Sequence, residues 1–425
     1  VALMGRADEQ STPTHTTLRV LHAGTWFPAD EVAKGAAYEL FADEAIPGFL
    51  PNPRPGARHP YRRFVHATEV LAVTGLGARA AAAVATGEQP LTEPAEQPMR
   101  MPVSRAMDWN TVHRLSQAPA TADSPVAAIR RTATVRRGTR MMKVLSAQQV
   151  LGHLRGWLPS GFCYREYDVA HLRTPAELGV LRGDTTDGAS GTAVFALRWR
   201  ATDPSDYTVP TVDTYPGLVR MPPHDRVGPP VIGGGFAPTN NHLVPEFVTA
   251  DLADLPLPAN ASLIAYTPDG TEVTLYTYLP EQRTWTRMYG PQWRHLLTAI
   301  IPDFPADQEH FPVPQAVTRF VGRYKGEHYD AVADPPHEFR LAAKVRAARY
   351  PVDSIARRTV YARWRGTLCT VVRNESGWLR VRPCRPDGEN IARLAAHCIE
   401  RGIYETWAPA PEASDVREID IQYPL

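Results

Sequence analysis

A chain of 425 residues is longer than a single hydrophobic core usually serves, and it reads as two to four domains. Hydrophobic residues at 43% and charged residues at 21% are the proportions of a folded globular protein, which excludes wholesale disorder. Forty-six Lys and Arg against 45 Asp and Glu leave a formal net charge of +1, so no global field draws the chain to nucleic acid or to an anionic membrane.

No apolar run approaches the ~20 residues that span a bilayer, and the N-terminus lacks the basic-then-apolar pattern of an export signal. A cytoplasmic protein with no membrane segment is expected. Cys163, Cys369, Cys384 and Cys398 show no CxxC spacing and are too few to staple a chain of this size, so they are expected as reduced, buried thiols. Forty-one prolines and 29 glycines cut the sequence into short runs that suit strands and turns. The expected fold class is mainly β with short helices, a β-rich α+β protein of several domains.

In chain order, residues 15–76 form a small β module, with strands expected around Val20, from Tyr38 to Phe41 and from Phe64 to Val70. The Ala-rich and then Pro-, Glu- and Gln-rich stretch 77–102 reads as a linker and domain boundary. Residues 103–156 form a connecting segment. Its basic cluster, Arg130, Arg131, Arg136, Arg137, Arg140 and Lys143, lacks interleaved aromatics, so a solvated strand pair, or a patch docking an acidic face of the same protein, is favoured over a nucleic-acid site. After it, Ser146 caps a helix whose Val150, Leu151 and Leu154 make one apolar stripe.

Residues 157–300 form a central α+β domain. Its strands are read at Thr192–Arg200 and Ser262–Tyr266, with Pro268, Asp269 and Gly270 turning the chain into a strand from Glu272 to Tyr278. P-loop, Rossmann, zincin, paired-CxxC and GxSxG patterns are all missing from the sequence, and no metal site or resident cofactor is expected. The run Gly233–Gly235 precedes Phe236, Ala237 and Pro238 and cannot open a phosphate-cradling helix; a turn is expected there. His224, Asp225 and Arg226 read as an exposed polar loop.

One stretch resembles a known family. Tyr164 and Arg165 ending a strand, followed by the Thr174, Pro175, Glu177 helix start, resemble the first strand of ADP-ribosyltransferase toxins. The segments from Asp225 to Gly228 and from Gly235 to Thr239 resemble stretches of NAD-hydrolysing toxins of the same fold. The resemblance implies NAD as substrate, Arg165 on its phosphate, Thr239 on the strand supporting the pocket, and Glu272 as the carboxylate steering the nicotinamide ribose. The chemistry is coherent, since breaking a glycosidic C–N bond needs a fixed carboxylate and cations on the pyrophosphate. The sequence departs from the pattern: Pro238, Thr239 and Asn240 stand at Ser-Thr-Ser, and Gly270 stands at the first Glu of Glu-x-Glu. The plain alternative is a surface Arg and a hairpin Glu. The composition, an excess of Arg over Lys with many Ala, Pro and Gly, resembles that of proteins from high-GC bacteria such as actinomycetes.

Near the C-terminus the sequence repeats at a spacing of 40 residues, Phe320–Gly326 aligning with Val360–Gly366 and Phe339–Leu341 with Leu379–Val381. Each copy reads as a β-meander, giving tandem modules at 315–358 and 359–425 that resemble small barrels of Src-homology-three type. A helix is expected from Pro386 to Gly402, with Ile391, Leu394, Ala395 and Cys398 on one face. Tyr324 and Trp364 sit at equivalent places between basic residues. They either face a protein or peptide partner or fill the core; Trp378 and Trp407 read as core. The leading expectation is an interaction protein binding a protein or peptide partner through these turns; the alternative is an NAD-consuming enzyme with its site in the central domain.

Overall fold

The computed structural model of the protein describes residues 18–22, 24–33, 37–46, 48–52, 57–66, 70, 72–74, 133–181, 193–221, 231, 233–239, 242–299, 304–342 and 350–425. The expected linker at 77–102, Arg130 and Arg131, and the loop at His224–Arg226 lie outside them. Short helices and antiparallel sheets make this a β-rich α+β protein, and its contacts divide the chain into two compact units, Val1–Ala95 and Glu96–Leu425.

In the first unit, Leu18–His22, Thr25–Ala33, Ala37–Ala42 and Tyr61–His66 pair in an antiparallel sheet closed at its edges by Leu50–Pro51 and Ala72–Thr74. Val20, Phe27, Leu40 and Val65 fill its core. Arg62 and Glu39 make a buried pair at 3.1 Å.

The second unit is built on a nine-stranded sheet. At its centre Arg140–Leu145 lies between Phe162–Arg165 and Val194–Arg200; beyond them come Ser262–Tyr266 and Glu272–Leu279. Alternation of side chains along these strands sorts them onto two faces. Met141, Leu145, Phe195, Leu197 and Leu263 join one core with Val150 and Leu154 of the helix Ala147–Leu154. That helix starts as expected, with Ser146 and Gln149 in a reciprocal capping box. Met142, Val144, Tyr164, Ala196 and Tyr266 join a second core on the other face, covered by Phe236 and Val244 of a two-stranded ribbon. Each large apolar side chain buried this way contributes ~2 kcal/mol.

The C-terminal strands form two meanders joined through one long strand, Ser354–Trp364. Ser414–Tyr423 holds one edge of that strand from Ile355 to Arg363. The other edge is divided, Arg319–Tyr324 pairing with its first half and Thr367–Glu375 with its second. The hairpins after Tyr324 and Trp364 are built alike: Lys325 and Gly326, then Arg365 and Gly366, each take positive φ in a two-residue turn. The helix expected from Pro386 to Gly402 is shorter. It runs Gly388–Leu394 from an Asp387 cap and stops where Ala395 turns left-handed at φ 50°; His397–Glu400 is a strand that carries Cys398 into pairing with Ile403–Pro409.

The two sheets of this unit meet across buried charge. Arg401 pairs with Glu246 at 2.5 and 3.2 Å, Arg382 with Asp254 at 2.7 Å, Lys143 with Glu400 at 2.5 Å and Arg357 with Asp206 at 3.2 Å. Gly161 and Gly402, both at positive φ, leave room for the Ile403 and Phe162 side chains respectively, which pack directly on the glycine backbone. The boundary read between the central domain and the first C-terminal module therefore falls inside one compact unit. No helix among the described residues is long and apolar enough to cross a membrane, and no group of three or more His, Cys, Asp or Glu among them is placed to hold a metal ion.

Candidate functional site: an arginine-rimmed cleft

The face of the central sheet that carries Met142 and Tyr266 opens into a cleft of about 940 Å³. Its floor is set by strand alternation. Val194, Ala196 and Arg198 follow one another on this face, and register places Arg198 opposite Met142 on one side and Ser262 on the other. Nη1 of Arg198 donates to Oε1 of Glu166 and to Oε1 of Glu272, each at 2.8 Å. The Tyr266 hydroxyl donates to Oε2 of Glu272 at 3.1 Å, and burial, reinforced by the Glu272 carboxylate, pushes its pKa up to about 12. Glu272 is thus a fixed carboxylate, though part-exposed, so the pairs around it contribute geometry more than stability.

The rim is basic. Arg136, Arg140 and Arg173 are exposed and line the cleft. Among the described residues the only carboxylate contact of these three side chains is Arg140 to Glu166 at 3.5 Å. Arg173 is anchored through its backbone: Glu177 accepts from the N–H groups of Arg173 and Thr174 at 3.0 and 3.1 Å, which caps the helix Pro175–Leu178. Those bonds, the Arg173 one foremost, hold the Glu177 carboxyl below its usual range.

Arg165 and Glu272, named from the sequence as parts of one site, do line the same cleft. The Arg165 guanidinium, however, is buried and engaged: Nε and Nη2 donate to Asp168 at 2.6 and 3.1 Å, and Nη1 donates to the Thr134 carbonyl at 3.0 Å. It is a held group in place of the open phosphate grip the resemblance implied. Thr239 ends the ribbon strand Phe236–Thr239 opposite His242, and its side chain lies outside the description. In the basic cluster, Lys143 is buried against Glu400, and Arg137 is turned toward Asp203 at 3.5 Å and the Phe339 ring. Only Arg136 and Arg140 of its described members reach the cleft.

Trp364 does not offer its ring to solvent. It packs in the core with Cys369, Val371 and Leu379, because its place in the long strand faces inward, and Arg365 lies over it at 4.9 Å. Tyr324 is half-exposed, with the Tyr350 ring 5.9 Å away.

Sequence reasoning missed Arg198, Tyr266, Glu166 and Tyr167. Arg198 carried a signal, as a charged residue in phase with the buried Val194 and Ala196 of its strand. Glu166 and Tyr167 lie on a 3-10 turn, Glu166–Val169, that no periodicity marks. Comparisons with protein-family models, with curated proteins and with solved structures find no match, so the cleft is interpreted from its own chemistry.

Proposed function

We propose that the cleft on the central sheet binds a small phosphate-bearing ligand. The observation that supports this is the set of exposed guanidiniums, Arg136, Arg140 and Arg173, gathered on a cavity of about 940 Å³, a size suited to small ligands. Arginine presents a planar fork of donors that matches phosphate oxygens two at a time. Titration calorimetry with inorganic pyrophosphate at low salt tests it. Saturable binding should weaken about tenfold or more in the Arg140→Ala, Arg173→Ala variant, by the strength of charge-assisted hydrogen bonds. Folded wild-type protein that takes up no pyrophosphate removes the proposal.

The resemblance to NAD-consuming toxins makes NAD the first candidate, with Glu272 steering the ribose. Its support is the fixing of Glu272 by Arg198 and Tyr266 inside this cleft. Since Arg165 is bound to Asp168, the phosphates would fall to Arg140 and Arg173. Release of nicotinamide from NAD, lost in Glu272→Gln, is the expected outcome of catalysis; binding without release would leave a ligand-binding protein.

A partner-binding role for the C-terminal modules rests on Tyr324, beside the exposed Tyr350. Selection of displayed peptides against wild-type and Tyr324→Ala protein decides it, and enrichment that ignores the substitution would sink it. We further propose a cytoplasmic location; its support is that the four cysteines are free thiols, the state a reducing compartment maintains.

A further inference from the structure

At one end of the cleft the Arg165 guanidinium lies close to two aromatic rings. The guanidinium carbon is 5.6 Å from the centroid of Phe247, which is buried in the core of the central sheet. The same carbon lies 4.6 Å from the centroid of the Tyr167 ring. Phe247 is 2% exposed and Arg165 4%, whereas Tyr167 is 65% exposed and lines the cleft. Burial thus falls from Phe247 and Arg165 to the open Tyr167 ring.

We propose that Tyr167 is an aromatic platform, and that the ligand carries a planar ring which stacks on it while its phosphate meets the rim arginines. This rests on the phosphate-binding reading of the same cleft. An ordinary surface tyrosine keeps its rotamer freedom and loses it on binding. Tyr167 has less of that freedom to lose, because the guanidinium beside its ring is pinned by two hydrogen bonds to Asp168 and one to the Thr134 carbonyl. Arg165 thereby acquires a role the sequence did not reveal: it positions Tyr167 and leaves anion binding to Arg140 and Arg173, which line the same cavity. Stacking of a base on an aromatic side chain tolerates many ring types, so the site selects for planarity next to phosphate, the chemistry of a nucleotide.

Binding of AMP and of ribose 5-phosphate, which carries a hydroxyl where AMP carries adenine, tests the proposal by calorimetry on the full chain. In the wild type AMP should bind about tenfold more tightly, the usual worth of one stacked base. Tyr167→Leu should bring the ratio of the two affinities to about one, and Tyr167→Trp should preserve it. Melting curves for each variant keep a folding defect apart from a binding one. Equal affinities in the wild type, or a ratio that survives Tyr167→Leu, overturn the platform while leaving the phosphate site standing. If neither compound binds, the phosphate reading fails and the platform falls with it.

Discussion

Several ionisable side chains of this protein are decided by depth. Lys143, one of a run of basic residues, sits inside against Glu400 and the Ser160 carbonyl. His153 is buried nearby, its Nδ1 donating to the Trp157 carbonyl at 2.9 Å. Burial, together with the Lys143 charge, drives its pKa from 6.5 down to about 4, against the raising effect of the Trp157 bond. A depressed histidine pKa means that the unfolded chain binds the proton more readily. Its contribution is complete above pH 6.5 and is lost as pH falls from there toward 4. The loss amounts to about 3 kcal/mol. Urea unfolding of wild-type and His153→Gln protein at pH 7 and pH 4.5 measures it: the wild type should lose more stability than the variant. Buried Asp206, whose carboxyl is raised to about 6 mainly by burial, works in the opposite sense over its own window, so the comparison between the two proteins isolates the histidine.

At the scale of elements, the sequence is legible where local chemistry decides. The Ser146 cap, the Thr174 and Glu177 box, the hairpin around Gly270 and the paired basic-Gly turns at Lys325 and Arg365 all fold as their residues dictate. The end of the 388–394 helix was not legible, because Ile391, Leu394, Ala395 and Cys398 keep helical spacing although Ala395 leaves the helical conformation. What overrides the spacing is a local hairpin: His397–Glu400 pairs with Ile403–Pro409 across a two-residue turn at Arg401 and Gly402, with Gly402 at positive φ, a basic-Gly turn that the helical spacing masked. Trp364 was ambiguous for a related reason: the turn beside it is exposed, but its strand direction points the ring inward. The cleft was half legible. Arg165 and Glu272 were named, yet the group that ties Glu272 down, Arg198, stands 74 positions before it and meets it only through sheet order. Nor does Arg165 show in the sequence that its charge is spent on Asp168, three residues on.

At the scale of the molecule, the central and C-terminal sheets share a core of Phe162, Leu218, Val248, Ile391 and Tyr404 as well as their ion pairs. The bidentate Arg401 and Glu246 pair also receives the Tyr164 hydroxyl at 2.9 Å, joining a turn of the C-terminal sheet to the strand that ends in Arg165. Removing one partner of such a pair strands a buried charge, so Arg401→Ala should cost about 3–5 kcal/mol. Denaturant unfolding followed by tryptophan fluorescence checks this; a loss below ~1 kcal/mol would mean water reaches Glu246 and the sheets are less tightly joined. The long strand Ser354–Trp364 also has a history implied by its neighbours. Its lower-numbered partner, Arg319–Tyr324, exists before it, but the strand that covers its whole other edge begins about fifty residues later in the chain. During synthesis from the N-terminus that edge stands bare, a row of unpaired amides beside Ile355 and Val360, until residues 414–423 emerge. A nascent chain halted in that interval is therefore an adhesive species, and the protein's exposure to misassembly is set by the time needed to make those last strands.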